Sequence, residues 1–451
     1  MNKIVTPKLL IAIALLGMAT TAVAQQPRIF GKPISAEELT PSGKVRCATT
    51  QYEEYLQAKY PERPTRAQFQ QWLAPKIEER KQNPVAFSTN AVVTIPVVVH
   101  VIHNGDAYGN NENIADEQVL SQIQVLNQDY RRMEETPGFN DHPDGADIEI
   151  EFCLAQVDPQ GNPTNGIDRQ QVSHSSLDFN EIENMQEDTQ WDPDDYMNIW
   201  VCNIDPNLGL LGFAQFPNYS GLPGAPDWNG PAELDGVVIS YQYFGSEELY
   251  PQGTYEWPYN EGRTTTHEVG HFFGLEHIWG QGFENFDCTG TDFCDDTPES
   301  EGPNGFCQQH YSCGSYDMIE NYMDYTNDAC MNIFTKDQKD RILTVLESSP
   351  RRASLLNSDV CTATAGHEDF RLLNDINIYP NPAHDILNIA VVNNELPDGY
   401  VIYNSLGQVM ADVKVTANSD LTVNTSAYSN GIYFIRIDKG TQSKTIKFIK
   451  N

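Results

Sequence analysis

The sequence predicts an α+β chain in consecutive parts, and three observations carry that prediction. Val92-Val93-Thr94-Ile95-Pro96-Val97-Val98-Val99-His100-Val101-Ile102 is a β-branched run of the kind that forms a buried strand. Beyond it, Val119, Ile123, Leu126 and Tyr130 recur at helical spacing, so strand and helix are mixed within one region. From about residue 375 onward the pattern changes to short alternating runs with turn residues between them, which is an all-β signature. A chain of 451 residues also exceeds one ordinary core, and two or three domains are expected.

The N-terminus indicates the compartment. Met1-Asn2-Lys3 and Lys8 precede an apolar run from Leu9 to Gly17, and Ala22-Val23-Ala24 supplies the small residues of a cleavage site, so residues 1–24 read as a signal peptide. That run is too short to span a bilayer, and no later stretch reaches eighteen apolar residues, so a soluble exported protein is expected. The 63 acidic against 28 basic residues give a formal charge of −35, which excludes nucleic acid as a partner and leaves carboxylates for calcium. Export permits disulfides, and the nine cysteines leave one over.

Residues 25–90 are polar, with a helix-forming run from Ala67 to Lys81. Cys47 stands alone there in Arg46-Cys47-Ala48-Thr49, either as the odd thiol or as partner to one of the other eight. Basic sites at Arg80-Lys81 and Arg63 to Arg66 are candidate processing positions. After the Val92 strand, Asp116 is expected to cap the helix carrying Val119 to Tyr130. Ile148 to Leu154, Met197 to Cys202 and Gly236 to Tyr241 are expected strands, the last an edge whose Val237 to Tyr241 could pair with an extended peptide. Leu210 to Pro217, with the Gly/Pro/Asn stretch to Asn229, is expected to connect elements and partly line a cleft.

The chemistry concentrates in His267-Glu268-Val269-Gly270-His271-Phe272-Phe273-Gly274-Leu275-Glu276-His277. On a helix, His267 and His271 lie one turn apart on the same face, so both can bind one ion, with Glu268 beside them. Gly274 is the residue best able to take a left-handed conformation, end the helix and bring His277 to the same ion. Three imidazoles leave a fourth tetrahedral position open, the mark of a catalytic zinc, and Glu268 is placed to take a proton from water there. A thiolate from upstream, such as Cys47, could fill that position, since sulfur is a preferred zinc ligand. The string resembles the metzincin signature. Asn321-Tyr322-Met323-Asp324-Tyr325 resembles the methionine turn of that clan, which implies that Met323 floors the site and that Tyr325 stabilises an oxyanion.

Cys288, Asp292, Cys294, Asp295, Asp296, Thr297, Glu299, Cys307 and Cys313 follow, and closely spaced oxygen ligands suit calcium. With Cys330-Met331, this region narrows the resemblance to the pappalysin family across roughly residues 45–361. The resemblance implies a twisted mixed five-stranded sheet with active-site and backing helices, and calcium at Asp292, Thr297 and Glu299. It also implies disulfides Cys288–Cys313 and Cys307–Cys330, and a propeptide whose Cys47 binds zinc in the zymogen. Cys153, Cys202, Cys294 and Cys361 allow three pairings. Lys336 to Leu346 reads as a helix closing the domain. The expected organisation is signal peptide 1–24, propeptide 25–90, protease 91–361, link 362–374 and β-sandwich 375–451.

Ile376-Asn377-Ile378-Tyr379-Pro380-Asn381-Pro382, Asn404-Ser405-Leu406-Gly407-Gln408 and Gly431 to Ile437 resemble the C-terminal sorting domain of type IX secretion cargo. That implies outer-membrane secretion machinery as a partner and a secreted or surface-held product. The expected function is a secreted zinc endopeptidase, made latent and acting on proteins or peptides. A basic residue just after the cut bond is the expected preference, with Asp359 a candidate for the pocket that reads it. The alternative is a surface adhesin with structural zinc and calcium.

Overall fold

The computed structural model describes residues 28–36, 38–83, 92–219, 230–280, 287–362, 376–391, 396–404, 408–439 and 442–451. The expected signal peptide, the 90/91 boundary, the stretch leading to Asn229, the turn at Ser405 and nearly all of the 362–374 link lie outside them. The N-terminal segment holds β1 (Val45–Cys47), α1 (Thr49–Lys59) and α2 (Arg66–Gln82). Then come β2 (Val93–His103), α3 (Asp116–Tyr130), β3 (Ile150–Leu154), β4 (Ile167–Gln171), α4 (Phe179–Thr189) and β5 (Met197–Cys202). The central region ends with β6 (Leu210–Ala214), β7 (Gly236–Ser240), α5 (Arg263–Phe272), α6 (Lys336–Ser348) and α7 (Pro350–Leu355). Among the described residues no helix is long and apolar enough to cross a membrane.

One mixed sheet organises this region in the order β1-β6-β7-β5-β2-β3, and β4 also pairs with β2. Val93 to Val97 of β2 pair with β3, and Val99 to His103 pair with β4, so β3 and β4 share one flank of the long strand. Only the β6/β7 pair is antiparallel. The sheet therefore has the expected five strand positions, and β1 adds a sixth.

Alternation along the strands covers both faces. Val97, Val99, Ile199, Val201, Val237 and Ile239 pack with Val119, Leu126, Val269 and Phe272, from α3 and α5. Trp200, Val238, Phe213 and Leu210 pack on the other face with Tyr52 and Leu56 of α1 and Ile182 and Met185 of α4. A sheet buried on both sides cannot show clean polar alternation, so its strands read as continuous apolar runs.

Three expectations are corrected here. Leu210 to Ala214 is a strand, not a connection, and β7 lies between β6 and β5, so Val237 to Tyr241 is no edge. Without β1 one edge of this sheet would be β6, and β1 covers it in parallel register, Val45 against Leu210 and Cys47 against Gly212. Ala115, not Asp116, takes the cap position of α3, and Asp116 lies in the first turn, where its charge complements the helix dipole. Helix α4 was missed, although Asp178 and Glu181 form a capping box that announces its start.

At the C-terminus, β8 (Asn377–Tyr379), β9 (Ile386–Ala390), β10 (Gly399–Asn404), β11 (Val409–Lys414), β12 (Thr422–Asn424), β13 (Gly431–Lys439) and β14 (Gln442–Lys450) form two antiparallel sheets, β8-β9-β12 and β11-β10-β13-β14. Leu387, Ile389, Ile402, Ile435, Ile437 and Phe448 fill the space between them, as expected of a β-sandwich.

One buried ion cluster fixes α7 to the end of α5. Asp235, just before β7, accepts from Arg352 at 2.8 and 2.9 Å and from Arg351 at 3.4 Å. Arg352 Nε donates 2.8 Å to the carbonyl of Phe272, the last residue of α5. Burial raises the Asp235 carboxyl, but the two guanidinium groups, Arg352 foremost, bring it below its usual range. Removing one partner of such a cluster leaves uncompensated buried charge, so Asp235→Asn should lower stability by about 3–5 kcal/mol in urea unfolding at pH 7. Because the folded pKa is depressed, the wild-type advantage is present above the unfolded value of about 3.9 and should shrink as pH falls below it. A variant as stable as wild type at pH 7 would contradict this.

Candidate metal centre and active site

Helix α5 carries three threonines, two histidines, a valine and a glycine among its ten residues, a composition of weak helix propensity, and it is wholly buried. Tertiary contacts therefore hold it. Asp328 Oδ2 accepts the backbone N–H groups of Glu261 at 3.0 Å and Arg263 at 3.1 Å, at the helix start. Asp129 of α3 takes the Thr266 hydroxyl at 2.7 Å and Arg263 Nη2 at 3.2 Å. The far end closes in a reversed turn. Gly274, at φ +86°, donates to His271 O, and Leu275 N donates to Gly270 O, the paired bonds of a Schellman motif.

That turn brings three imidazoles together. The Nε2 atoms of His267, His271 and His277 lie 3.1–3.3 Å from one another. His267 Nδ1 meets the carbonyl of Tyr322 at 2.7 Å and His271 Nδ1 that of Leu275 at 2.8 Å. A carbonyl only accepts, so both Nδ1 atoms carry the proton and both Nε2 atoms present a lone pair. Burial lowers the pKa of all three rings, His271 to about 3, and keeps them neutral. Converging lone pairs with no proton between them repel unless a cation sits among them. Cys47 Sγ completes the set, all four ligand atoms lying within 4.8 Å of one another. Three nitrogens and a sulfur fit zinc.

The surroundings fix the rings. Met323 is fully buried, and a Cβ at Gly270 would stand 2.5 Å from its Sδ, so the sulfur fits only because residue 270 has no side chain. Asn321 holds the turn by accepting from Met323 N at 2.9 Å and from Gln338 Nε2 at 3.1 Å. Trp279 stacks on His277 at 4.4 Å and 5°, and the Tyr325 ring stands edge-on to His277 at 5.0 Å.

Glu268 is fully buried beside this cluster. Its Oε2 accepts from Thr49 Oγ1 at 2.8 Å and Cys47 Sγ at 3.4 Å, while its Oε1 has no hydrogen-bond partner among the described residues. Burial pushes its pKa up to about 8, against the pull of Thr49, Cys47 and Arg46. The Tyr325 hydroxyl donates 3.3 Å to the backbone carbonyl of Cys47. One residue before, Arg46 is wholly buried, with Nη2 3.0 Å from Asp328 Oδ1 and its guanidinium 4.9 Å from the Tyr259 ring centroid.

The zinc-motif residues, Glu268, Met323, Tyr325 and Cys47 thus meet in one place. The calcium candidates do so only in part: the Thr297 hydroxyl donates 2.7 Å to Asp292, whose carboxyl burial raises to about 7, whereas Glu299 is exposed. Asp359 lies elsewhere, exposed beside Asp195 and Tyr196. Disulfides join Cys288–Cys313, Cys307–Cys330 and Cys153–Cys361, leaving buried thiols at Cys47, Cys202 and Cys294. The processing sites suggested by charge are engaged: Arg80 and Lys81 sit in α2, paired with Glu347 and Asp337, and Arg63 pairs with Glu53. Sequence reading passed over Thr49, Arg46 and Asp328, though an arginine next to the lone cysteine was a signal within the quoted string.

Comparison with known proteins gives the following matches. The family model described as pregnancy-associated plasma protein-A matches residues 180–347, and that described as a secretion system C-terminal sorting domain matches residues 377–451. An extracellular metalloprotease of Arthroderma otae is 31% identical over 258 residues, which are 56% of this chain and 77% of that protein. One from Colletotrichum graminicola is 29% identical over 272 residues, 59% of this chain and 81% of that protein. The solved structure of a mutant of Tannerella forsythia promirolysin is 35% identical, with TM-score 0.51, covering 69% of this chain and 97% of its own.

The Gly274 turn yields a direct test. An added Cβ would be strained at φ +86° and would stand 3.0 Å from Val345 Cγ2. Gly274→Ala should cost about 1–2 kcal/mol, lower the unfolding midpoint and reduce the zinc retained per chain against a competing chelator. Unchanged retention would show that the turn does not place His277.

Proposed function

The chain belongs to the pappalysin family of metzincin metalloproteases and carries a type IX secretion sorting domain, and from that premise we propose that it is exported as a latent zinc endopeptidase. His267, His271 and His277 hold the zinc in this reading, and Cys47 fills its remaining position until the propeptide leaves. The observation that carries it is Glu268, fully buried beside three converging imidazoles with one carboxylate oxygen unpartnered among the described residues. When bound, zinc lowers the pKa of water at the open position and polarises the peptide carbonyl.

The chain's own residues perform the remaining steps. Glu268 accepts the proton of the attacking water and passes it to the departing amine nitrogen. The Tyr325 hydroxyl, which here donates to the Cys47 carbonyl, turns to the oxyanion that develops on the substrate carbonyl. Thr49 holds Glu268 Oε2 in the latent chain, so the propeptide occupies the base as well as the metal. The edge of β6 that β1 covers becomes the edge on which an extended substrate can lie.

Specificity follows from the same segment. Asp328 replaces Asp359 as the carboxylate that reads a basic side chain just after the cut bond, because the Arg46 guanidinium is buried against it and Tyr259. In this reading residues 25–90 are the propeptide and residues 91–361 the protease. The calcium reading is kept for Asp292 and Thr297, since a cation would hold ionised a carboxyl that burial raises to about 7.

Glu268→Ala should retain zinc and fold while losing about three orders of magnitude or more in kcat on casein or a peptide. Turnover preserved in that variant would remove its role, and elemental analysis that checks its zinc also shows whether calcium accompanies it. Cys47→Ala in the full chain should give proteolysis before the propeptide is cut, read on a quenched fluorogenic peptide. Unaltered latency would mean that Cys47 is not the block.

A further inference from the structure

The propeptide places a second basic side chain beside Arg46, and that pair describes more of the substrate than one seat does. Lys44 stands two residues before Arg46, the spacing at which extended residues face the same way. Its Nζ lies 2.8 Å from Glu256 Oε1 and 5.9 Å from the Tyr243 ring centroid. Arg46 has the same kind of environment one step along, with the Asp328 carboxylate and the Tyr259 ring. The two rings are in contact, edge to face at 6.2 Å. One aromatic floor therefore carries two cation seats, each closed by its own carboxylate.

The second seat is built into the protease and does not depend on the lysine in it. Tyr243 is almost wholly buried, and its hydroxyl donates 2.7 Å to Glu256 Oε2, which turns Oε1 outward. Backbone bonds tie the seats together: Tyr259 N donates to Glu256 O, and Asp328 N donates to Pro258 O. The stretch from Glu256 to Tyr259 thus supplies the carboxylate of one seat and the ring of the other, and anchors the carboxylate of the second.

We propose that Glu256, oriented by Tyr243, is a specificity-determining residue that takes a basic side chain two residues further from the cut bond than the one held by Asp328. For a substrate laid antiparallel to β6, and so opposite in direction to β1, the preferred sequence then carries arginine just after the scissile bond and lysine or arginine as the third residue after it. The proposal rests on the reading of Asp328 as the first basic seat. Removal of the propeptide frees both carboxylates together, so each site that Lys44 and Arg46 occupy in the latent chain becomes available to substrate.

Activated enzyme prepared from the full chain tests this with quenched fluorogenic peptides varied independently at the first and third positions after the cut. The Glu256 seat is partly open to solvent, so lysine at the third position should exceed alanine by about fivefold in kcat/KM. Glu256→Gln should bring that ratio close to one, and Glu256→Lys should reverse it in favour of glutamate. Reversal by the charge-swapped variant is an effect that a merely structural role would not produce. Equal rates for lysine, alanine and glutamate in the wild type, or a lysine preference that survives Glu256→Gln, overturns the proposal. Loss of arginine dependence at the first position would instead overturn the Asp328 reading, while the third-position ratio still decides the role of Glu256.

Discussion

Three neutral imidazoles whose Nε2 atoms are held 3.1–3.3 Å apart in a dry interior are the constraint on which the catalytic half depends. Each neutral ring is tolerable alone, but their lone pairs repel, and only a cation makes the arrangement favourable. The fold must therefore supply rigidity before the ion arrives. Asp328 and Asp129 fix the start of α5, the Gly274 turn fixes its end, and the Tyr322 and Leu275 carbonyls fix two of the rings. Met323 fills the space under Gly270, and Trp279 keeps His277 from turning.

Charge explains how the N-terminal segment stays on this site. Between Arg28 and Asn83 basic residues outnumber acidic ones ten to seven, although the whole chain carries −35. Lys44, Arg46, Lys59, Arg66, Arg80 and Lys81 each meet a carboxylate of the following domain: Glu256, Asp328, Glu183, Glu276, Glu347 and Asp337. These pairs are unequal. Lys59 and Lys81 are about one-third exposed and contribute under about 1 kcal/mol each, whereas Arg46 and Asp328 are both fully buried. A cut in the segment would leave the exposed pairs to water readily, and release of the Arg46 pair is the demanding step.

The chemistry was more legible in the sequence than the topology. The spacing of His267, His271, Gly274 and His277 carries its own geometry, because helical period and a left-handed glycine decide where the rings point. Leu210 to Ala214 hid its nature, since five apolar or small residues with Gly212 inside read equally as a loop, and only pairing with β1 and β7 makes it a strand. That error displaced the sheet edge to Val237. Arg46–Asp328 and Cys153–Cys361 join positions far apart in the chain, and no local period reports such contacts. Arg80 looked like a processing site because charge was visible and its burial in α2 was not.

The proposed latency requires Cys47 and three imidazoles to share one zinc. X-ray absorption at the zinc edge, recorded on the full-length protein before and after propeptide removal, addresses it most directly. One sulfur and three nitrogen neighbours are expected before removal, with the sulfur replaced by an oxygen afterwards. A latent chain whose zinc shows only nitrogen and oxygen neighbours would contradict it.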